Sequence, residues 1–571
     1  MISGPPNDGR FAGRIASAST LAAGACVGVA SFVYYYSQRL TTAHYDAKAH
    51  LVVARRIVDS VSPGYEQMGA NWLPLIHLVY LPLVLNDPQY RSAVLPSMVS
   101  VCAFALSGWL LYRIAARSTG STAAGIFAAA ILIANANLEY LQSCPLTEPL
   151  SILLLLLTVD SLMRWRSRAL EGRKASDSIH GSNVGSLPWE TAVWATLGAL
   201  CRYEGFYVYG GILLLLVYDC WTGSIPRKRA AQIAAVYAGV FAVPVLAHFG
   251  FIYGRLGDSF FQRVARGNPA PYITYRRPAL SVLYHLGELV QITAVVPLVA
   301  AFVGVGCVLA RRAATRQYLP LFLLWIPSLT NISALYWGLI YRVRYSVLLV
   351  PAIAIFSALL VSEVARRRVL IAGCLVVMGM PWLSWQFPHE WRYHALRTGP
   401  GVLILPVAAL ILLCAGVTKR SRWPLLALCI LAMQVPALEG EARPILEETR
   451  EHAFIEPERQ QILDYLRLNY DGTRILIDMG KLAPLAYDSQ LPLKNFVYEE
   501  GGGHKWQRAL QAPESEVGWI CAEKGDEVWE WLRIDPRRAS GYSLALQTDN
   551  FLLYRPKSTS DGSPPVIGSA R

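Results

Sequence analysis

"ASASTLAAGACVGVASFVYYYSQRLTTAHYDAKAHLVVARR", residues 16–56, divides into two unlike halves. Residues 16–36 carry no charge and are long enough to cross a bilayer core, for which about 20 apolar residues suffice in a helix. Directly beyond, "YDAKAHLVVARR" (45–56) sets Asp46, Lys48, His50, Arg55 and Arg56 just outside that span. Ionisable groups at membrane depth are costly, so charge packed against the end of a span points to a function there.

The apolar half of the pattern recurs through most of the chain. Of 571 residues, 54% are hydrophobic, and the mean hydropathy is +0.34, far above a soluble protein of this length. About thirteen windows are of spanning length: 16–36, 92–113, 122–141, 149–165, 188–202, 205–222, 230–252, 288–310, 318–338, 345–365, 369–387, 400–417 and 423–438. Stacked apolar helices are one of two ways to satisfy backbone groups in lipid, so an α-helical polytopic membrane protein is expected. The net charge of +13 does not indicate nucleic acid, because Lys and Arg collect in short loops such as "RWRSRALEGRK" (164–174), 227–229, 366–368 and 419–422. Those loops alternate with less basic ones, which predicts a cytoplasmic N-terminus and, with an odd number of spans, a C-terminus outside. An inner-membrane location follows. The first span is longer than a signal core, so no cleavable signal is expected. Most of the ten cysteines fall inside spans as small apolar residues, while Cys144 and Cys521 fall outside.

From about residue 441 the composition is that of a soluble domain. "PERQQILDYLRLNY" (457–470) and "DEVWEWL" (526–532) read as helices, and 474–479, 517–523 and 551–556 as strands. The expected organisation is a membrane domain over 1–440, a small extracytoplasmic α/β domain over 441–556, and a disordered tail over 557–571.

On this topology four charged clusters share the outer side: Asp46, Lys48 and His50; Glu148 in "QSCPLTEP" (142–149); Arg202 and Glu204 in "CRYEGF" (201–206); and Arg342 and Arg344 in "YRVRY" (341–345). A carboxylate can take a proton from an attacking hydroxyl, and guanidiniums can hold a phosphate by a planar fork. Each residue also has a plain structural use. Asp46 could pair with Lys48 or Arg55, Glu148 could cap a helix that has Pro149 in its first turn, and Arg202 could pair with Glu204. Arg342 and Arg344 could reach lipid headgroups, and His50 and His77 could be satisfied interfacial histidines. Two carboxylates with several guanidiniums on one side suit phosphate-leaving chemistry better than an ion pore.

These stretches resemble the GT-C membrane glycosyltransferases, in the bacterial branch related to protein O-mannosyltransferases and lipid A aminoarabinose transferases. The resemblance rests on Asp46 soon after the first span, the Pro-containing "NWLPLIHLVYLPL" (71–83), "LTEPL" before the fourth span, "CRYEGF" between the fifth and sixth, and "YRVRYSVLLVPAIAI" (341–355). It implies transfer of a sugar from a polyprenyl-phosphate donor on the outer face. By position, Asp46 matches the family's first-loop catalytic carboxylate, Glu148 its acidic second outer loop, and Arg202 a base that contacts the lipid phosphate. Arg342, Arg344 and Lys48 join Arg202 as candidates for the donor phosphate. His50, Glu204 and His77 are candidates for holding the acceptor or supporting the others. Many relatives carry a second acid after the first, where this chain has Ala47, so a divalent metal is left open and no other cofactor is implied. A polyprenyl phosphate leaves as an anion without a general acid, so one base suffices, and in-line attack inverts the anomeric carbon. The rival classes are a transporter or flippase of lipid-linked substrate, which predicts charges near span centres and paired repeats, and a noncatalytic membrane protein that binds a lipid-linked sugar.

Overall fold

The computed structural model describes residues 7–176, 187–257, 273–293, 295–310, 315–339, 341–363, 445–446, 448–449, 456–499 and 504–557. The spans expected at 369–387, 400–417 and 423–438 and nearly all of the expected tail lie outside the described residues.

A long α1 (Asn7–Ser37) enters a short connection. Then comes α2 (Tyr45–Arg56), the charged segment that follows the first span. The side chain of His44 caps α2, Asp46 lies in its first turn, and Arg55 and Arg56 lie in its last, each charge matched to the helix dipole. After α3 (Pro74–Tyr80) and α4 (Asp87–Ser92) come α5 (Val94–Thr119), α6 (Thr122–Ile133), α7 (Ala136–Leu141), α8 (Thr147–Ser176), α9 (Trp189–Cys201), α10 (Glu204–Trp221) and α11 (Arg227–Leu256). The later membrane helices are α12 (Pro278–Thr293), α13 (Val295–Ala310), α14 (Ile326–Trp337) and α15 (Val350–Glu363), the last entered through a 3-10 segment at Val343–Leu349. Among the described residues, five helices are long and apolar enough to cross a membrane by themselves. The chain is a polytopic α-helical membrane protein. The expected span 122–141 is broken into α6 and α7, because the Asn135 side chain accepts from the Leu138 N–H and starts a new helix there.

One apolar core joins the membrane helices, with Phe104, Leu132, Leu156, Ile212, Leu324 and Ile353 buried in it. At one end of the helices, buried acids are matched by arginines. Asp160 takes Arg117 at 2.8 Å and Arg164 at 3.0 Å, and Asp219 takes Arg166 at 2.8 Å.

The C-terminal part packs α16 (Glu456–Asn469), α17 (Met479–Asp488), α18 (His504–Gln511) and α19 (Glu527–Ile534) around five strands. These are β1 (Ile475–Leu476), β2 (Phe496–Val497), β3 (Trp519–Glu523), β4 (Tyr542–Gln547) and β5 (Phe551–Pro556). Their order is β2-β1-β3-β5-β4, with β1 parallel to both neighbours and β5 antiparallel to β3 and β4. One face of the sheet has its own core, with Leu476, Val497, Ile520, Val528 and Trp531, and the other shares one with the first loop. Leu51 and Val52 of α2 and Ile76 and Tyr80 of the first loop are buried in one cluster with Ile462, Ile477, Leu482 and Phe496. Cys144 and Cys521 are both free, buried thiols, one in the membrane core and one in the sheet core.

Candidate active site

The N-terminus of α2 sets the centre of the site. His44 Nδ1 accepts from the Asp46 N–H at 3.0 Å, so in the neutral ring the hydrogen sits on Nε2, which faces Glu448 Oε1 at 3.4 Å. Asp46 accepts a hydrogen bond from Arg344, which the 3-10 segment before α15 carries inward. The Arg344 side chain is 4% exposed, and its Nε stands 3.6 Å from Glu148 and 3.8 Å from Glu448. Three carboxylates thus surround one buried guanidinium. Among the described residues its Nε and Nη1 nevertheless make no hydrogen bond, nor does Glu448 Oε2. Unmet buried donors cost about 1–3 kcal/mol each, so these atoms could take a further hydrogen-bonding group.

Arg202 closes the cluster from another direction. It ends α9 in an extended conformation, and α10 starts two residues later. A Cβ on Gly205 would come within 2.4 Å of the Ala199 backbone nitrogen, so only glycine allows so tight a turn. The turn holds Arg202 as a fork. Nε and Nη2 donate to the two oxygens of Glu204 at 3.2 and 2.9 Å, and Nη1 donates to Glu148 at 2.9 Å and to Thr147 Oγ1 at 2.7 Å. The guanidiniums of Arg202 and Arg344 both lie over the Tyr345 ring, 4.7 and 5.4 Å from its centroid.

Burial alone would raise the Asp46, Glu148 and Glu448 carboxyls. For Asp46, Arg344 and then His44 and His50 outweigh it. For Glu148, Arg344 and Arg202 do so, and for Glu448 the His44 bond and Arg344. All three are held below the usual carboxylate range and are ionised. Counted through its ion pairs, the network has four carboxylates (Asp46, Glu148, Glu204, Glu448) and three guanidiniums (Arg202, Arg342, Arg344). It carries one net negative charge when His44, ion-paired to Glu448, is neutral, and none when His44 is protonated.

Beside it, His50 Nδ1 and His77 Nε2 are 3.0 Å apart, and His77 Nδ1 is 3.1 Å from the Leu73 carbonyl. Burial pushes His50 down to about 4 and His77 well below the usual range, so both rings are neutral.

The structure brings together Asp46, Glu148, Arg202, Glu204 and Arg344, with His50 and His77 adjoining. Arg342 sits at the rim, 43% exposed, with Nε 3.9 Å from Glu448. Lys48 lies elsewhere. Its ammonium is 2.5 Å from Asp488 of α17, because residues two apart on a helix do not share a face and Lys48 turns to the sheet instead. The same geometry takes Arg55 to Asp59 and Asp87. Glu448, His44 and Tyr345 were not singled out by sequence reasoning. The only local signal for Glu448 is an acidic pair, Glu447 and Glu448, soon after a long apolar region. Among the described residues no three His, Cys, Asp or Glu side chains are grouped to hold a metal ion. A cavity of about 360 Å³ lies elsewhere, lined by Leu289, Phe302, Phe322, Trp325 and their neighbours without a carboxylate.

No protein-family model matches the chain, and no curated protein matches it in sequence. Solved structures do. ArnT from Cupriavidus metallidurans bound to undecaprenyl phosphate aligns at 14% identity and a TM-score of 0.55, over 94% of this chain and 99% of that one. The apo form of the same protein aligns at 15% identity and 0.55, over 93% and 97%. The apo oligosaccharyltransferase of Archaeoglobus fulgidus aligns at 13% identity and 0.49, over 89% and 69%. A match running the length of both chains, through the membrane helices and the sheet alike, places the architecture: the chain has the GT-C fold of membrane-embedded glycosyltransferases.

Proposed function

We propose that the chain transfers a sugar from a polyprenyl-phosphate donor to an acceptor on the outer face of the inner membrane, with inversion, and that Asp46 is the general base. The observation that carries this reading is Arg344, buried among Asp46, Glu148 and Glu448, with Nη1 making no hydrogen bond among the described residues and Nε in contact with carboxylates only at ion-pair distance. A phosphate oxygen could accept from Nη1, and a second from Nη2 once Nη2 leaves Asp46, which would form the planar fork that a guanidinium offers and an ammonium lacks. The ArnT structure of the same fold is bound to undecaprenyl phosphate, which fits a lipid phosphate as the ligand.

The pairing of Asp46 with Arg344 then has a chemical consequence. While paired, the Asp46 carboxylate is a weak base. A donor phosphate that draws Arg344 toward itself returns basicity to Asp46, so donor binding prepares the base. The acceptor oxygen attacks the anomeric carbon, its proton passes to Asp46, and the bond from that carbon to the phosphate oxygen breaks with its electron pair leaving on the polyprenyl phosphate. Arg202 and Arg344 stabilise the charge on the leaving group. Asp160 and Asp219 are matched by arginines, whereas Glu288 of α12 is buried and accepts from Tyr341.

Asp46→Asn tests the reading. It keeps the shape and cannot take the proton. A base contributes about 10²–10⁴-fold in rate, so transfer per folded molecule in membranes carrying the variant is expected to fall at least a hundredfold. Undecaprenyl phosphate binding by the purified variant is expected to persist. More than roughly a third of wild-type turnover would remove Asp46 as the base.

A further inference from the structure

The hydrogens on the two neighbouring histidines are dictated by one carbonyl. The Leu73 oxygen can only accept, so the hydrogen of His77 is on Nδ1. Neutral His77 then offers a lone pair at Nε2, and His50 must donate to it from Nδ1. That leaves a lone pair on His50 Nε2, which among the described residues takes no hydrogen bond. His50 stands four residues after Asp46, on the same face of α2, where side chains at that spacing are roughly 5–6 Å apart at Cβ. The charged groups that act on it are Asp46, Glu148, Arg344 and Arg202, all members of the network.

An aromatic wall adjoins it. The Trp72 ring is 4.2 Å from His50 and lies parallel to His77 at 5.6 Å. Tyr203 donates to the Asn71 carbonyl at 2.8 Å, tying the Trp72 turn to the turn that carries Arg202. A half-buried aromatic ring beside two hydrogen-bond acceptors is how a protein meets a sugar: the ring covers the C–H face and the acceptors take hydroxyl hydrogens.

We propose that His50 Nε2, Asp46 and Trp72 form the acceptor subsite, that it takes a carbohydrate with neighbouring hydroxyls, and that the product is an O-glycoside. This deepens the proposed glycosyl transfer and rests on it. One hydroxyl gives its proton to Asp46 as its oxygen attacks the anomeric carbon. A neighbouring hydroxyl donates to His50 Nε2 and fixes which oxygen attacks. The charge count argues against a phosphate as acceptor. The network has no net positive charge whatever the state of His44, the donor phosphate adds negative charge to it, and a second phosphate would meet carboxylates and a lone pair.

The test compares membranes carrying the wild-type chain, Asp46→Asn, His50→Asn and His50→Gln. New glycosylated products are identified by mass spectrometry and by stability to mild acid, which cleaves glycosyl phosphates and spares O-glycosides. Undecaprenyl phosphate binding by each purified protein measures folding and the donor site. Asparagine keeps a donor where His50 Nδ1 stands and loses the Nε2 acceptor, whereas glutamine places an amide near Nε2. The expected product is an acid-stable glycoside on a sugar hydroxyl, absent with Asp46→Asn. His50→Asn is expected to bind undecaprenyl phosphate within about twofold of wild type and to lose about tenfold or more in product, with His50→Gln recovering part of it. An acid-labile glycosyl phosphate, an asparagine-linked product, or His50→Asn at the wild-type rate overturns this subsite and leaves the donor reading standing. A wild-type chain that neither binds undecaprenyl phosphate nor yields any product overturns both.

Discussion

Arg344 satisfies only one of the three carboxylates around it by a hydrogen bond, Asp46. Glu448 therefore acts at a distance, 3.8 Å from Arg344 Nε and 3.4 Å from His44, the residue that caps the helix bearing Asp46. It is a positioning residue whose charge also opposes an incoming phosphate. Glu448→Gln removes one negative charge from the network. At about 8 Å and an effective dielectric of about 20, one charge is worth roughly 2 kcal/mol against the phosphate, so undecaprenyl phosphate is expected to bind up to about thirtyfold more tightly. Turnover is expected to fall, since His44 loses its partner and Arg344 shifts toward Asp46. Titration of the purified variant with undecaprenyl phosphate, beside its rate of transfer, separates the two. Unchanged or weaker binding would show that Glu448 does not share the phosphate's field. A simple loss of fold would lower both readings together.

At the scale of elements, helix contact in the membrane depends on how closely backbones approach. A Cβ on Gly304 of α13 would stand 2.0 Å from the Phe356 carbonyl oxygen of α15, whereas one on Gly306 would meet nothing within 4 Å. The helix α15 is the one that the Arg344 segment enters, so this contact bears on the site as well as on packing. Gly304→Ala must push the two helices apart, at a cost of about 1–3 kcal/mol typical of overpacking. The folded yield from detergent and the thermal midpoint are expected to drop for Gly304→Ala and to stay at wild-type levels for Gly306→Ala. Equal behaviour of the two would mean that the helices are not in contact there. The broken helix at 122–141 has a similar lesson. Its apolar run reads as one span, and a single Asn135 cap divides it, because a local side-chain bond outcompetes one more turn of helix.

For the whole molecule, the first loop and the C-terminal sheet form one body. Leu51 and Val52 of α2 share a core with Ile462, Leu482 and Phe496, and Lys48–Asp488 and Tyr498–Gln67 bond across the same junction. The helix that carries Asp46 and His50 is thus held between membrane and sheet, on the side of the membrane where the proposed transfer would take place. Charge alternation predicts that this side is the outside and that the 164–190 loop is cytoplasmic. Membrane-impermeant labelling of Asn469→Cys, an exposed position at the end of α16, is expected from outside, and Ser176→Cys is expected to stay unlabelled until the membrane is opened. The reverse pattern would place the site, and the proposed chemistry, on the other face.

What the chain determines by itself is whatever depends on short range. The length and apolarity of its runs specify membrane helices, composition marks where the sheet region starts, and the residue types at Asp46, Glu148, Arg202 and Arg344 are unexplained by topology alone and so stand out. Helix periodicity even separates Asp46 and His50 from Lys48, though the sequence does not say which face meets the site. Distance in space decided the rest. Glu448 reaches Arg344 across more than a hundred residues of sequence, and the His50 tautomer is set by a carbonyl at Leu73 that no spacing rule links to it. Electrostatic and hydrogen-bond partners fall off over a few ångströms, so which charge meets which is legible only once the fold has brought them together.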